Sequence, residues 1–333
     1  MKKNKTKKAI ALFWGLLMTC LLLVGCGGHD SEEKATVRIG ALKGPTSMGL
    51  LFMMEKSENN QTGNQYEFQM ATAADELLPL MVQDELDIAL VPANVASVLY
   101  HKTKGGICVI DINTLGVLYM VSGDTSIQGV DDLSGKTIYL TGKGTTPDYV
   151  LQYLLNANGI DTDECTLEYK SEAMEVAVLL AKKPDAVGLL PQPFVTAACA
   201  QNEALEAVFS INDEWNSVQG EEGSRLVTGV TVVRRGFLEE NEDAVRAFLD
   251  EHAESAEAIN ENPETGAALC VKAGIVAKEQ IAQKAIPRCN ITCITGNEMK
   301  QALSGYLQVL FEQSAQSVGG TLPKEDFYYL PAE

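Results

Sequence analysis

From residue 37 onward, short apolar runs alternate with longer segments whose apolar residues recur every three or four positions. The first pattern predicts strands, and the second predicts helices that pack on them. Residues 36–42 read as a first strand, 48–56 as an apolar helix and 66–71 as an alternating second strand. Residues 74–83 fit a helix with Asp75 near its start. Asp87-Ile-Ala-Leu-Val-Pro92 is apolar at almost every position, as suits a strand covered on both faces of a parallel sheet. A helix over 93–100 and a strand over 107–112 follow. Strands alternating with helices imply right-handed βαβ units.

The pattern then restarts. Strands are predicted at 115–122, 137–141 and 166–169, with helices at 148–158 and 173–181. Asp185-Ala-Val-Gly-Leu-Leu-Pro191 is a second Asp-led apolar run ending in proline, and a helix to Ala200 follows it. Each half therefore has strand, small-residue loop, helix, strand, helix and an Asp-led strand. Residues 225–233 form a long strand without a counterpart in the first half. The runs 115–122 and 226–233 are natural crossings between two lobes, and 237–317 is mostly helical. The expected class is α/β, with each lobe a mostly parallel sheet flanked by helices. The divisions are 36–115 with 228–333 for the first lobe and 116–227 for the second.

Upstream of this body, five lysines within the first eight residues precede an apolar run over 9–24. That run is shorter than the roughly 20 residues of a membrane span. A basic start, a short apolar core and small residues predict a secretory signal over 1–25. Leu23-Val24-Gly25-Cys26 resembles a bacterial lipobox. The resemblance implies that Cys26 carries a diacylglycerol with palmitate-type chains, that cleavage precedes it, and that 26–35 is a tether. The expected location is extracytoplasmic, held by lipid to the outer face of the bacterial plasma membrane.

The formal net charge is −19. Removing residues 1–25 takes away five lysines and no acids, leaving 21 basic against 45 acidic side chains. So acidic a body excludes nucleic acid and anionic lipid as partners. Six cysteines remain in the body: Cys108, Cys165, Cys199, Cys270, Cys289 and Cys293. They include no Cys-x-x-Cys pair, and with three histidines the spacing of a zinc site is absent, so no metal or cofactor is expected. Pairing of Cys270 with Cys289 or Cys293 stays open beside small buried thiols.

Several segments together resemble the type II solute-binding proteins of ABC importers, in the nitrate/sulfonate/taurine and thiamine-precursor superfamily. They are Ile39-Gly-Ala-Leu-Lys-Gly-Pro-Thr46, Asp87 to Asn94, Asp131-Asp-Leu-Ser-Gly-Lys136, Pro191-Gln-Pro193 and Glu240 to Phe248. The resemblance implies a type II periplasmic-binding-protein fold, two lobes joined by two crossing strands that close on a solute. It also implies a separate permease and ATPase as partners. A monomer is expected.

Ligands of open α/β sheets lie beyond the carboxyl ends of the strands, which selects the candidate residues. Lys43, Thr46 and Ser47 occupy the loop after the first strand, where helix amides and a lysine make an anion site. Lys143, Thr145 and Thr146 hold the equivalent place in the second half. That loop does not match a nucleotide phosphate loop. Asn94 and Gln192 follow the two Asp-led strands, and their amides both donate and accept. Tyr119 and Thr228 are adjacent to the crossings, and Trp215 offers a stacking face or a core side chain. The leading reading is capture of a small polar or anionic solute, with a planar heteroaromatic such as a thiamine pyrimidine precursor as the alternative. A sensory receptor without transport remains beside these. An enzyme is not expected, since no Gly-x-Ser-x-Gly nucleophile turn occurs.

The lipid assignment makes a direct prediction. Cys26→Ala should leave the precursor unprocessed or release it from membranes, as read by fractionation and immunoblotting. A processed, membrane-retained variant contradicts it.

Overall fold

The computed structural model describes residues 34–220 and 223–331. The signal, Cys26 and the tether to residue 33 lie outside these residues. Among the described residues no helix is long and apolar enough to cross a membrane.

In chain order the first part comprises β1 (Thr36–Leu42), α1 (Pro45–Met48), α2 (Leu51–Glu58), β2 (Gln65–Ala71), α3 (Ala74–Val82), β3 (Ile88–Pro92), α4 (Ala93–Lys102) and β4 (Ile107–Leu115). The second part comprises β5 (Leu118–Ser122), β6 (Thr137–Thr141), α5 (Thr146–Ala157), β7 (Thr166–Lys170), α6 (Ala173–Lys182), β8 (Val187–Pro191), α7 (Phe194–Gln201), β9 (Glu206–Ser210) and α8 (Ile211–Gln219). The last part comprises β10 (Val227–Arg234), α9 (Arg235–Glu240), α10 (Glu242–Glu261), α11 (Pro263–Lys272), α12 (Glu279–Ala285), β11 (Ile291–Ile294) and α13 (Gly296–Gln313).

These strands form two sheets, ordered β11-β4-β10-β3-β1-β2 and β7-β6-β8-β5-β9, which make the two lobes. In each sheet three strands pair in parallel, β2-β1-β3 in one and β7-β6-β8 in the other. The remaining strands pair antiparallel, so both sheets are mixed. The antiparallel strands are those next to the crossings. A chain that leaves one sheet and returns beside its exit point must run back against it.

The Asp-led runs are buried as their composition requires. Ile88 to Val91 has no exposed residue, and Val187 to Leu190 is covered likewise. Each buried Ile, Leu or Val among them stabilises the fold by about 1.5–3 kcal/mol. α10 buries Val245, Phe248, His252 and Ile259 along one stripe and presents acids on its other side.

Four differences from the sequence reading have physical causes. The helix over 48–56 is two helices broken at Gly49, where a Cβ would lie 3.1 Å from His252 Nε2 and 3.3 Å from Ile291. The first crossing is the Gly116-Val117 step, because β4 extends to Leu115 in one sheet and β5 starts at Leu118 in the other. A Cβ on Gly116 would come within 2.7 Å of Leu226 and 2.8 Å of Asn212. β10 lies wholly in the first sheet, so the second crossing falls between Gln219 and Val227. β9, α8 and β11 escaped the periodicity reading because they are short and carry mixed polar and apolar residues.

Asp87 clamps three strands. Its carboxylate accepts from Arg38 Nε at 2.9 Å, Arg38 Nη2 at 2.6 Å, the Arg38 amide at 3.0 Å and Arg234 Nη2 at 2.8 Å. Burial alone would push this carboxyl up. The Arg38 and Arg234 hydrogen bonds outweigh burial and hold it below the usual range. Its contribution is therefore present above the unfolded value, about 3.9, and is lost as pH falls through the lower folded value. Asp87→Ala should cost about 3 kcal/mol, the low end for breaking a buried pair, because Arg38 is 36 % exposed. Urea unfolding should show that gap at pH 7 and a smaller one at pH 3. An equal gap at both pH values contradicts the clamp.

Candidate functional site

The carboxyl ends of β1 and β3, the Leu115 end of β4 and the Val227 end of β10 meet on one side of the first sheet. Val227 pairs with Leu115 and Gly229 with Thr114, so Thr228 is the extra residue of a β-bulge. The site begins here. Thr46, at the start of α1, is 8 % exposed. Gly229 lies so close to it that a Cβ there would be 2.5 Å from Thr46 Cγ2 and 2.4 Å from Asn113 Oδ1. Only glycine permits this approach. Asn113 was not anticipated from the sequence. Its Oδ1 accepts from Thr114 Oγ1 at 3.0 Å, and its Nδ2 donates to Thr231 Oγ1 at 3.2 Å.

Side-chain hydrogen bonds of two candidate groups cross between the lobes. Thr146 Oγ1, at the start of α5, donates to Asn94 Oδ1, at the start of α4, at 3.4 Å. Tyr119 on β5 donates to the carbonyl oxygen of Arg288 at 3.0 Å. Burial pushes the Tyr119 phenol up to about 12, so it stays a donor at neutral pH. Asn94, Thr146 and Tyr119 thus line the interface between the lobes.

Gln192 ends the second Asp-led run and is 1 % exposed. Its Oε1 accepts from Thr196 Oγ1 at 2.8 Å, while its Nε2 has no partner. Its backbone N–H donates to the Val117 carbonyl at the first crossing, 3.0 Å away. The Gln192-Pro193 bond is cis. A buried donor left unmet is costly, about 1–3 kcal/mol, unless something else accepts from it.

The residues that follow Gln192 in the chain wall a cavity of about 350 Å³, a volume suited to a small organic molecule. The second lobe lines it with Met174, Pro193, Phe194 and Ala197, and the α11–α12 loop lines it with Ile275 and Val276. Lys278 is the cation on its wall. Sequence reading passed over these residues. The signal available was Gly274-Ile-Val-Ala277, an apolar run in a turn where solvated residues are usual.

The other candidates are placed elsewhere. Trp215 is 0 % exposed, donates to the Ser224 carbonyl at 3.0 Å and packs between Tyr153 and Tyr306. With both faces covered it is a core residue and cannot stack on a solute. Ser47 is buried and returns its hydroxyl to the Gly44 carbonyl at 3.1 Å. Lys43 is exposed at the edge of the cleft, 3.6 Å from where a Gly274 Cβ would stand. Lys143 is exposed, with its ammonium 5.3 Å from the centre of the Tyr169 ring. Thr145 is exposed and closes its own turn on the Gly142 carbonyl at 2.5 Å. Neither lysine is brought to the cavity wall.

Comparison with known proteins agrees with this fold. The model of the NMT1/THI5-like family matches residues 107–266. No curated protein sequence matches the chain. An ABC transporter protein from Parabacteroides distasonis has a solved structure with a TM-score of 0.74 and 23 % identity, covering 90 % of this chain and 100 % of its own. The periplasmic aliphatic sulphonate binding protein SsuA from Escherichia coli gives a TM-score of 0.69 at 15 % identity, over 91 % of this chain and 94 % of its own. The periplasmic nitrate-binding protein NrtA from Synechocystis PCC 6803 gives 0.58 at 12 % identity, over 86 % and 84 %. The chain has the two-lobed type II periplasmic-binding-protein fold of these binding proteins, and its central residues match the NMT1/THI5-like family.

Proposed function

We propose that this protein is the extracytoplasmic solute-binding subunit of an ABC importer, anchored by lipid on Cys26 and delivering its solute to a separate permease. It binds without chemistry. In this reading the lobes are residues 36–115 with 228–333 and residues 116–227. The observation that carries the reading is the cavity walled by both lobes, whose second-lobe wall begins at Pro193, the residue after the buried Gln192 with its unpaired Nε2. The sulfonate- and nitrate-binding neighbours support the role.

The wall chemistry narrows the solute. Phe194, Met174, Ile275 and Val276 favour a molecule with an apolar body, and Gln192 favours a polar group that accepts a hydrogen bond. A sulfonate with an organic chain meets both needs, and bare nitrate meets only the second. Phe194 also favours the alternative, a planar heteroaromatic such as a pyrimidine, whose ring nitrogen accepts from the same amide.

The test is a thermal-shift screen of the processed chain against organic sulfonates, nitrate, carboxylates, pyrimidines and amino acids, followed by calorimetry on whatever responds. A solute at 100 times its Kd adds about 2.7 kcal/mol to stability. One responding class, with an organic body, is expected. Gln192→Met and Phe194→Ala should each weaken its binding by about tenfold or more, equal to about 1.4 kcal/mol, while Lys143→Ala leaves it unchanged. A response to nitrate alone, or equal affinity in all three variants, overturns the assignment.

A further inference from the structure

Spacing along the chain gave no metal site, yet the fold assembles a set of ligating groups away from the cleft. Among the described residues, Asp111, His252 and Cys293 bring a carboxylate oxygen, an imidazole nitrogen and a thiol sulfur within 4.8 Å of one another. The residues come from β4, α10 and β11. Asp111 and His252 are 0 % exposed, and His252 Nδ1 is 3.1 Å from Asp111 Oδ2. The other carboxylate oxygen, Oδ1, accepts from Thr231 Oγ1 at 2.8 Å, and Asn113 Nδ2 donates to that same hydroxyl. A carboxylate oriented by a second shell of this kind is typical of metal ligands.

Two further observations bear on this cluster. His252 Nε2 is buried against Gly49 without a hydrogen-bond partner, so the polar side of the ring is Nδ1, which faces Asp111 within the cluster. Cys293 faces a cavity of about 360 Å³, lined also by Ile110, Leu249, Asp250, Thr295 and Tyr329. The cavity lies where β4 has lost its edge partner. β11 pairs with β4 at Ile112 and Thr114, and the C-terminal segment bridges it only at Val109. On that edge of β4 no strand pairs with Ile110 or Asp111, and Cys293 is the member of the cluster on the cavity wall.

We propose that Asp111, His252 and Cys293 bind a divalent zinc-type cation, with the fourth position open to water from the cavity. Mixed oxygen, nitrogen and sulfur ligands suit zinc better than calcium or magnesium, which take oxygen alone. Bonds of about 2.0–2.3 Å place tetrahedral ligands roughly 3.3–3.8 Å apart, within the present spread of the three atoms. As the metal–sulfur bond forms, the thiol proton leaves to solvent through the cavity, and no electron is transferred. The ion ties the short β11 strand to β4 and α10. This site is independent of the solute and of the transport reading.

The experiment titrates the processed chain, reduced and freed of metal, first with cobalt(II) and then with zinc(II). One cobalt per chain should bind, giving a thiolate charge-transfer band and the visible bands of a tetrahedral ion, and zinc should displace both. Zinc should also raise the melting temperature. Cys293→Ser is half-buried, changes one atom and should fold by circular dichroism. It should abolish the charge-transfer band and weaken zinc binding by about 100-fold or more, beyond the loss of a second-shell partner. His252→Gln should weaken binding in the same way. Absence of the band in the folded parent protein, or the same band and affinity in Cys293→Ser, overturns the site.

Discussion

β10 is inserted antiparallel between β3 and β4, and the arrangement of the molecule depends on that insertion. Its residues Val230, Val232 and Val233 are fully buried, and they pair across positions more than a hundred residues distant in the chain. The pairing of Val227 with Leu115 sets the two crossings side by side. The second lobe is thereby an insertion between two neighbouring strands of the first. Gly116 lies against Leu226 at that junction, so the chain passes between the lobes at two adjacent points. Such a link is a hinge, because the two sheets share no strand. The same register puts a bulge at Thr228 and brings Gly229 against Thr46 and Asn113. One pairing therefore sets both the hinge and the floor of the cleft.

The back of the molecule is closed by aromatic packing. Trp215 of α8 lies 4.9 Å from Tyr153 of α5 and 5.6 Å from Tyr306 of α13, measured between ring centres. The apolar core that contains them runs from the first sheet into the second. Across the front, the lobes touch through Tyr119 with Arg288 and Asn94 with Thr146, single hydrogen bonds that are readily exchanged with water. Firm packing behind and weak polar contacts in front favour opening on the side of the cavity.

Much of this fold was legible as pattern. The bounds of β1 and β6 agree with the periodicity residue for residue, because strands of β-branched residues bounded by Gly, Lys or Asp leave little room for alternatives. The two Asp-led apolar runs signalled strands buried on both faces, and both are. Direction within the sheets was less legible, since antiparallel pairing at the crossings depends on contacts far apart in sequence. The strand-end rule led to Thr46, Asn94, Thr146 and Gln192, which the fold sets at the cleft. It led equally to Lys143 and Thr145, whose side chains turn outward. Rotamer and neighbour decide that, as with Lys143 over Tyr169. Trp215 illustrates the same limit, for an aromatic residue in a helix reads alike whether it stacks on a solute or on Tyr306. The cavity residues Ile275 and Val276 had only the apolar turn Gly274 to Ala277 as a local sign, and the grouping of Asp111 with His252 and Cys293 has none.

The central claim is that the lobes hold a small organic solute between α7 and the α11–α12 loop. A crystal structure of the protein with the molecule that copurifies with it tests this most directly. The account predicts density in the 350 Å³ cavity, with an apolar body against Phe194 and Ile275 and a polar atom within hydrogen-bond reach of Gln192 Nε2. A solute bound outside the interlobe cavity, with Gln192 still unpaired, would contradict it.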